Sequence, residues 1–196
     1  GGDVLLTSGR PISEARRTTL AAQGLATAAL TQFQSVALAG ERTSLVSVKA
    51  VDDGYPLRGQ LWLADAAFAS PYTAPGVPAL DAAWADPQVL AELGLNVGDG
   101  FQLGALHLRI GAVIAQEPDR GGGFSNLAPR LIINAAALPA SGLLGPGSRA
   151  SYTLQLAGPA PTIAAVVAAP GEKRITPQEA RPELRSALQR AGRFLD

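Results

Sequence analysis

Side chains able to do chemistry are scarce in this 196-residue chain: one histidine, His107, two lysines and no cysteine. Without cysteine there is no thiolate nucleophile, disulfide or thiolate metal site. Zinc on His107 would have to recruit carboxylates, since no second His and no His-Glu-x-x-His motif exists. Serine hydrolysis needs a base beside the hydroxyl and an acid to orient that base. No Gly-x-Ser-x-Gly elbow is present. Leu106, Leu108 and Ile110 alternate with His107 and Arg109, which puts the histidine mid-strand on the polar face. It reads as a surface or rim residue. Ser47 shares a strand face with Lys49, so a serine–lysine dyad is formally open. Two polar residues two apart on an exposed strand are also ordinary chemistry-free geometry.

Asp52 and Asp53 are neighbours, and adjacent residues on an extended chain point opposite ways. Turn formation beside Gly54 suits them better than joint acid–base work; bonding to Arg58 across the crossing is the other structural option. Gly121, Gly122 and Gly123 lack the spacing of a phosphate loop or a dinucleotide fingerprint. With Arg120 and Phe124 they read as a loop tip carrying one charge and one ring, either a partner contact or a plain linker. The expected catalytic, metal and cofactor sets are all empty.

The elements around these residues follow from periodicity and punctuation. A strand over 2–7 leads to a helix from about Ile12 to Gln23, capped by Ser13 and closed by Gly24. A hairpin follows, with strands over 28–39 and 43–51 and a polar turn at Gly40, Glu41 and Arg42. Gly54 and Pro56 mark a handover between units. Beyond it come a short strand in GQLWLAD, an irregular loop over 66–80, and a short helix within 81–94 with Asp86 as N-cap and Pro87 in the first turn. Short strands with glycine-rich turns over 96–116 suggest a small barrel or sandwich. A loop over 118–126, a strand over 129–133, a one- or two-turn helix from Asn134 and a strand over 149–156 come next. Ala150, Tyr152, Leu154 and Leu156 share one face of that last strand. The remainder is a helix over 161–169, an extended piece over 173–176 and an amphipathic helix from Gln178 whose apolar stripe runs to Leu195 without a cap. That helix packs on its own sheet, lies on a membrane surface, or packs and then continues toward a membrane segment. The class is α+β.

Apolar residues make up 47% and charged residues 16%, enough apolar content for a packed core. Sixteen basic residues balance sixteen acidic ones, so no overall field favours nucleic acid. No apolar run reaches the length of a membrane span. Methionine is absent, including at position 1, as expected of a fragment or processed product.

LVSVKAVDDGYPLRGQL (45–61) resembles the extracytoplasmic domain of bacterial ABC-transporter permeases of the YbbP-like branch of the FtsX/MacB superfamily. WADPQVLAELGLNVGD (84–99), QEPDRGGGFSNLAPRLIIN (116–134), LPASGLLGPGSRASY (138–152) and RPELRSALQRAGRFL (181–195) extend the likeness in the same order. The resemblance implies a periplasmic part of an inner-membrane protein, between the first and second membrane helices. It implies a porter-like sheet-and-helix subdomain from residues 1–55 and 149–196, with a mostly β subdomain, 56–148, inserted. The final helix would lead into a membrane span.

The implied role is non-catalytic: the domain couples ATP-driven motion of the membrane helices to the handling of a hydrophobic or lipid client or a periplasmic partner. The implied partners are a separate ATP-binding subunit and a periplasmic lysophospholipase/thioesterase. Tyr55, Leu57, Arg58, Arg120 and Phe124 are the expected partner or interdomain contacts, because apolar and aromatic groups beside Arg in loops suit interfaces. The competing readings are a standalone module for lipid or another hydrophobic ligand and, less favoured, a serine hydrolase.

Overall fold

The computed structural model describes residues 1–118 and 127–180. Val4 and Leu6 turn inward on β1 (Val4–Ser8), and the chain then enters α1 (Glu14–Ala22). The Ser13 hydroxyl accepts from the Arg16 N–H, and Gly24, at φ 86°, lets the chain reverse after the helix. A hairpin of two long strands follows, β2 (Ala26–Ala39) and β3 (Arg42–Val51). Short elements come next: β4 (Trp62–Ala64), β5 (Tyr72–Thr73), β6 (Ala82–Ala85) and α2 (Pro87–Leu93). β7 (Gly100–Leu103) and β8 (Leu106–Gln116) form a second hairpin, and β9 (Arg130–Asn134) runs into a 3-10 turn and α3 (Leu138–Ser141). The described chain ends with β10 (Ser151–Ala157), α4 (Ala160–Ala164), β11 (Glu172–Ile175) and the turn of helix α5 (Pro177–Ala180).

Pairing divides the strands into two regions joined by β2 and β3. At one end β11, β1, β10 and the first half of β2 form an antiparallel sheet. At the other, β2 pairs β3, β3 pairs β9, β9 pairs β6, β6 pairs β8, β8 pairs β7, and β7 returns to β2 at Ala37 and Leu38. Those six strands close a ring, with parallel contacts at β3–β9 and β6–β8. β4 and β5 extend the outside of the ring from β8.

Three cores result. Val46, Val48, Ala50, Leu131, Ile133, Leu103, Leu108 and Ile110 fill the ring from alternate positions, with α2 closing it through Val89, Leu90 and Leu93. A second core on the outside of the ring wall holds Val51, Tyr55, Leu61, Leu63, Trp84 and Ile132. The third lies between the open sheet and α1, from Val4, Leu6, Leu20, Leu154 and Leu156.

Several expectations need correction. The helix over 161–169 is one short turn, Ala160–Ala164. β6 lies in a stretch read only for its helix; its four residues are all buried and show no alternation to signal a strand. The loop over 66–80 contains the two-residue β5. The strand holding Ser47 and Lys49 is not exposed at those positions: Lys49 is 0% and Ser47 2% accessible. The terminal helix beyond residue 180 lies outside the described residues.

Candidate functional site

Among the described residues, a cluster of polar groups is buried on the outer face of the ring wall. Ser47 and Lys49 project from the face of β3 opposite the ring interior, and parallel pairing sets Ser47 beside Arg130 and Lys49 beside Ile132 on β9. Lys49 Nζ donates to Tyr55 Oη at 2.7 Å and to Glu117 Oε2 at 3.2 Å, and lies 4.6 Å from the centre of the Tyr55 ring. Arg130 Nε donates to Glu117 Oε1 at 3.0 Å and its Nη1 to Ser47 Oγ at 2.8 Å. The Arg130 backbone N–H donates to Asp86 Oδ2 at 2.7 Å. One carboxylate, Glu117, therefore sits between two cations with all three side chains at 3% accessibility or less.

That arrangement answers the dyad question. A serine–lysine dyad needs a lysine that takes the hydroxyl proton and a path for substrate. Here Ser47 accepts from Arg130, Lys49 points to Tyr55 and Glu117, and both side chains are enclosed by protein. Sequence reasoning missed Glu117 and Arg130, and read Asp86 only as a helix cap, where its side chain instead takes the Arg130 N–H. A charge inside the run PRLII was the one local signal, and it points equally to a strand end.

His107 is exposed and lines an open groove of about 590 Å³ with Asp81, Phe101 and Arg109. Among the described residues no group of three His, Cys, Asp or Glu is placed to hold a metal ion.

The expected contact residues fall in different places. Tyr55 is core, at 3% accessibility. Leu57 is half-buried against the same core. Arg58 is exposed and pairs with Asp3, its Nε and Nη2 reaching Oδ1 and Oδ2 at 3.0 and 3.1 Å. The suggested pairing of Arg58 with Asp52 or Asp53 is replaced by this one. Asp52 instead accepts from the Gly54 N–H, as its turn role requires, and pairs with Arg17 at 2.6 Å. Arg120 and Phe124 lie outside the described residues.

Electrostatics at the surface follow the same contacts. The Arg58 hydrogen bonds hold the Asp3 carboxyl below its ordinary value, against partial burial and helped by the Gly158 N–H. Hydrogen bonds from Ser44 and Gln88 lower Glu92. Burial and the neighbouring Asp65 charge push the Tyr72 hydroxyl up.

The described residues form a two-part β structure with few helices, whose first and last strands lie side by side. No protein-family model matches the chain. Among solved structures it is similar to the periplasmic region of MacB from Actinobacillus actinomycetemcomitans, with TM-score 0.55 at 10% identity, covering 98% of this chain and 94% of that one. It is also similar to the extracellular domain of the noncanonic ABC-type transporter YknZ from Gram-positive bacteria, with TM-score 0.53 at 12% identity, covering 83% and 87%. These likenesses define the fold class.

A sequence relative carries the assignment further. The chain is 33% identical over 158 residues to the uncharacterized ABC transporter permease YbbP of Escherichia coli (strain K12), a match covering 80% of this chain and 18% of the relative. The chain is thus similar in sequence, over most of its own length, to a short part of an ABC-transporter permease, and it has the fold of the periplasmic and extracellular domains of such transporters. Among the described residues no helix is long and apolar enough to cross a membrane.

Proposed function

We propose that this domain is the mechanical, non-catalytic periplasmic part of a permease. In that reading a separate ATP-binding subunit moves the membrane helices, and the domain turns the motion into handling of a hydrophobic or lipid client or a partner enzyme of the lysophospholipase/thioesterase class. The observation that carries the reading is the pairing of β1 with β11, Leu5 opposite Ile175 and Ser8 opposite Glu172. The first strand and the last described strand thus run antiparallel, and the outer ends of both open on one side of the sheet. β2 leads from that side to the ring, about 45 Å at roughly 3.3 Å per residue, so displacement at one end has a long lever.

The far end of the hairpin suits an apolar contact. Val36, Leu38 and Leu45 stand exposed there, Leu45 at 54%, and Leu45 and Leu127 line an open groove of about 720 Å³. Division into a sheet unit, 1–55 with 149–196, and an inserted unit, 56–148, belongs to this proposal. So do contacts at Leu57, Arg58, Arg120 and Phe124, and an interdomain role for Tyr55.

Purification of the full-length permease tests the reading. An ATP-binding subunit is expected to travel with it, and Leu45→Asp is expected to release a co-purifying periplasmic enzyme without releasing that subunit. A permease that carries no ATP-binding subunit, or an isolated domain that turns over ester substrates, would overturn the proposal.

A further inference from the structure

We infer that residues 54–59 are a joint that ties the start of the first strand to the Glu117–Arg130 pair on the ring wall. The inference rests on the transport reading for its purpose, while the coupling itself is a property of this chain alone. On one side, the Arg58 N–H donates to the Gly1 carbonyl at 2.7 Å, and the Arg58 guanidinium holds both Asp3 oxygens. Asp3 Oδ2 also accepts from the Gly158 N–H at 3.1 Å, so the beginning of β1, the end of β10 and the joint meet at one carboxylate.

On the other side, Tyr55 Oη takes the Lys49 ammonium, which continues to Glu117 and through it to Arg130. A second contact runs in parallel: a Cβ on Gly59 would lie 2.6 Å from Pro118 Cβ, so the backbone there is pressed against the residue after Glu117. Gly54 forms the floor, since a Cβ on it would come within 2.8 Å of the Thr27 carbonyl on β2. The Tyr55 N–H is fixed in turn to the Asp52 carbonyl at 3.1 Å.

A six-residue segment anchored at its floor and on both sides has little slack. Movement of Asp3 relative to the ring must therefore either break the Arg58 clasp or shift Tyr55 and Gly59. The second outcome is the joint. It needs two arrangements of one packed element that both sites bias.

Amide hydrogen exchange on the 196-residue chain decides between them. Arg58→Ala removes an exposed side chain and leaves the cores untouched; it is expected to speed exchange at residues 130–132 about threefold. Coupling is reciprocal, so Tyr55→Phe is expected to speed exchange at the Asp3 and Arg58 amides. Arg16→Ala is the control, because it breaks another clasp of the same sheet, to Glu172, and is expected to leave residues 130–132 unchanged. Arg58→Ala effects confined to residues 1–3, 58 and 158 would overturn the joint. So would a silent Tyr55→Phe, or an Arg16→Ala effect at 130–132 equal to that of Arg58→Ala, which would mark general loosening. A permease without an ATP-binding subunit would remove the transport reading yet leave these exchange results standing.

Discussion

Two ionic clusters in this domain have similar composition and opposite surroundings. Lys49, Glu117 and Arg130 are enclosed by the ring wall and its outer core, whereas Asp3 and Arg58 meet at the sheet margin with side chains 31% and 57% exposed. In the enclosed cluster each ion has lost its water, so every partner is needed to offset the desolvation of the others. In the exposed one, water replaces a lost partner at little cost. Carboxylate–cation pairing therefore acts as an enclosed brace in one place and as a hydrated clasp in the other.

The largest test of that contrast is Glu117→Ala, which leaves Lys49 and Arg130 facing each other without their shared carboxylate. A loss of about 3–5 kcal/mol is expected in denaturant unfolding. Lys49→Met is milder, since Glu117 keeps Arg130 and Tyr55 Oη loses one donor; about 1–3 kcal/mol is expected. If Lys49→Met proves worse than Glu117→Ala, the brace is centred on the ammonium and not the carboxylate.

An intermediate case is Ser44, buried at 2% and donating to the exposed Glu92. Ser44→Ala is expected to cost about 1 kcal/mol, with the Glu92 carboxyl rising toward its ordinary value in an NMR titration. The smallest effect belongs to the clasp. The Asp3 carboxyl is depressed in the folded state, so its stabilisation is present above the unfolded carboxylate value and fades as pH falls through the folded one. Melting curves of the parent and Asp3→Asn are expected to differ slightly at neutral pH and to converge in acid. A difference that persisted in acid would mean that Asp3 acts through packing and not charge.

Local pattern was enough for the elements whose signal is local. The Ser13 cap, the turn at Gly40, the alternation around His107 and the Asp86–Pro87 helix start all stand where residue order places them. The likeness to the permease domains was also legible, because the motifs 45–61, 84–99 and 116–134 are long stretches in fixed order. The face of a strand was harder. Lys49 alternates with Val48 and Ala50 as a solvent-facing residue would, and nothing in that alternation says that Tyr55 and Glu117 enclose it.

The chain order alone thus determined an α+β domain without a recognisable catalytic motif, the α1 helix with its Ser13 cap and the β2–β3 hairpin. Tertiary structure alone decided that six strands close into a ring and that Lys49, Glu117 and Arg130 share one buried contact across separations of 68 and 13 residues. The reason is physical. Periodicity reports which residues share a side, but burial of a charge depends on what the rest of the chain lays over that side, and partners distant in sequence leave no mark on one another's neighbours.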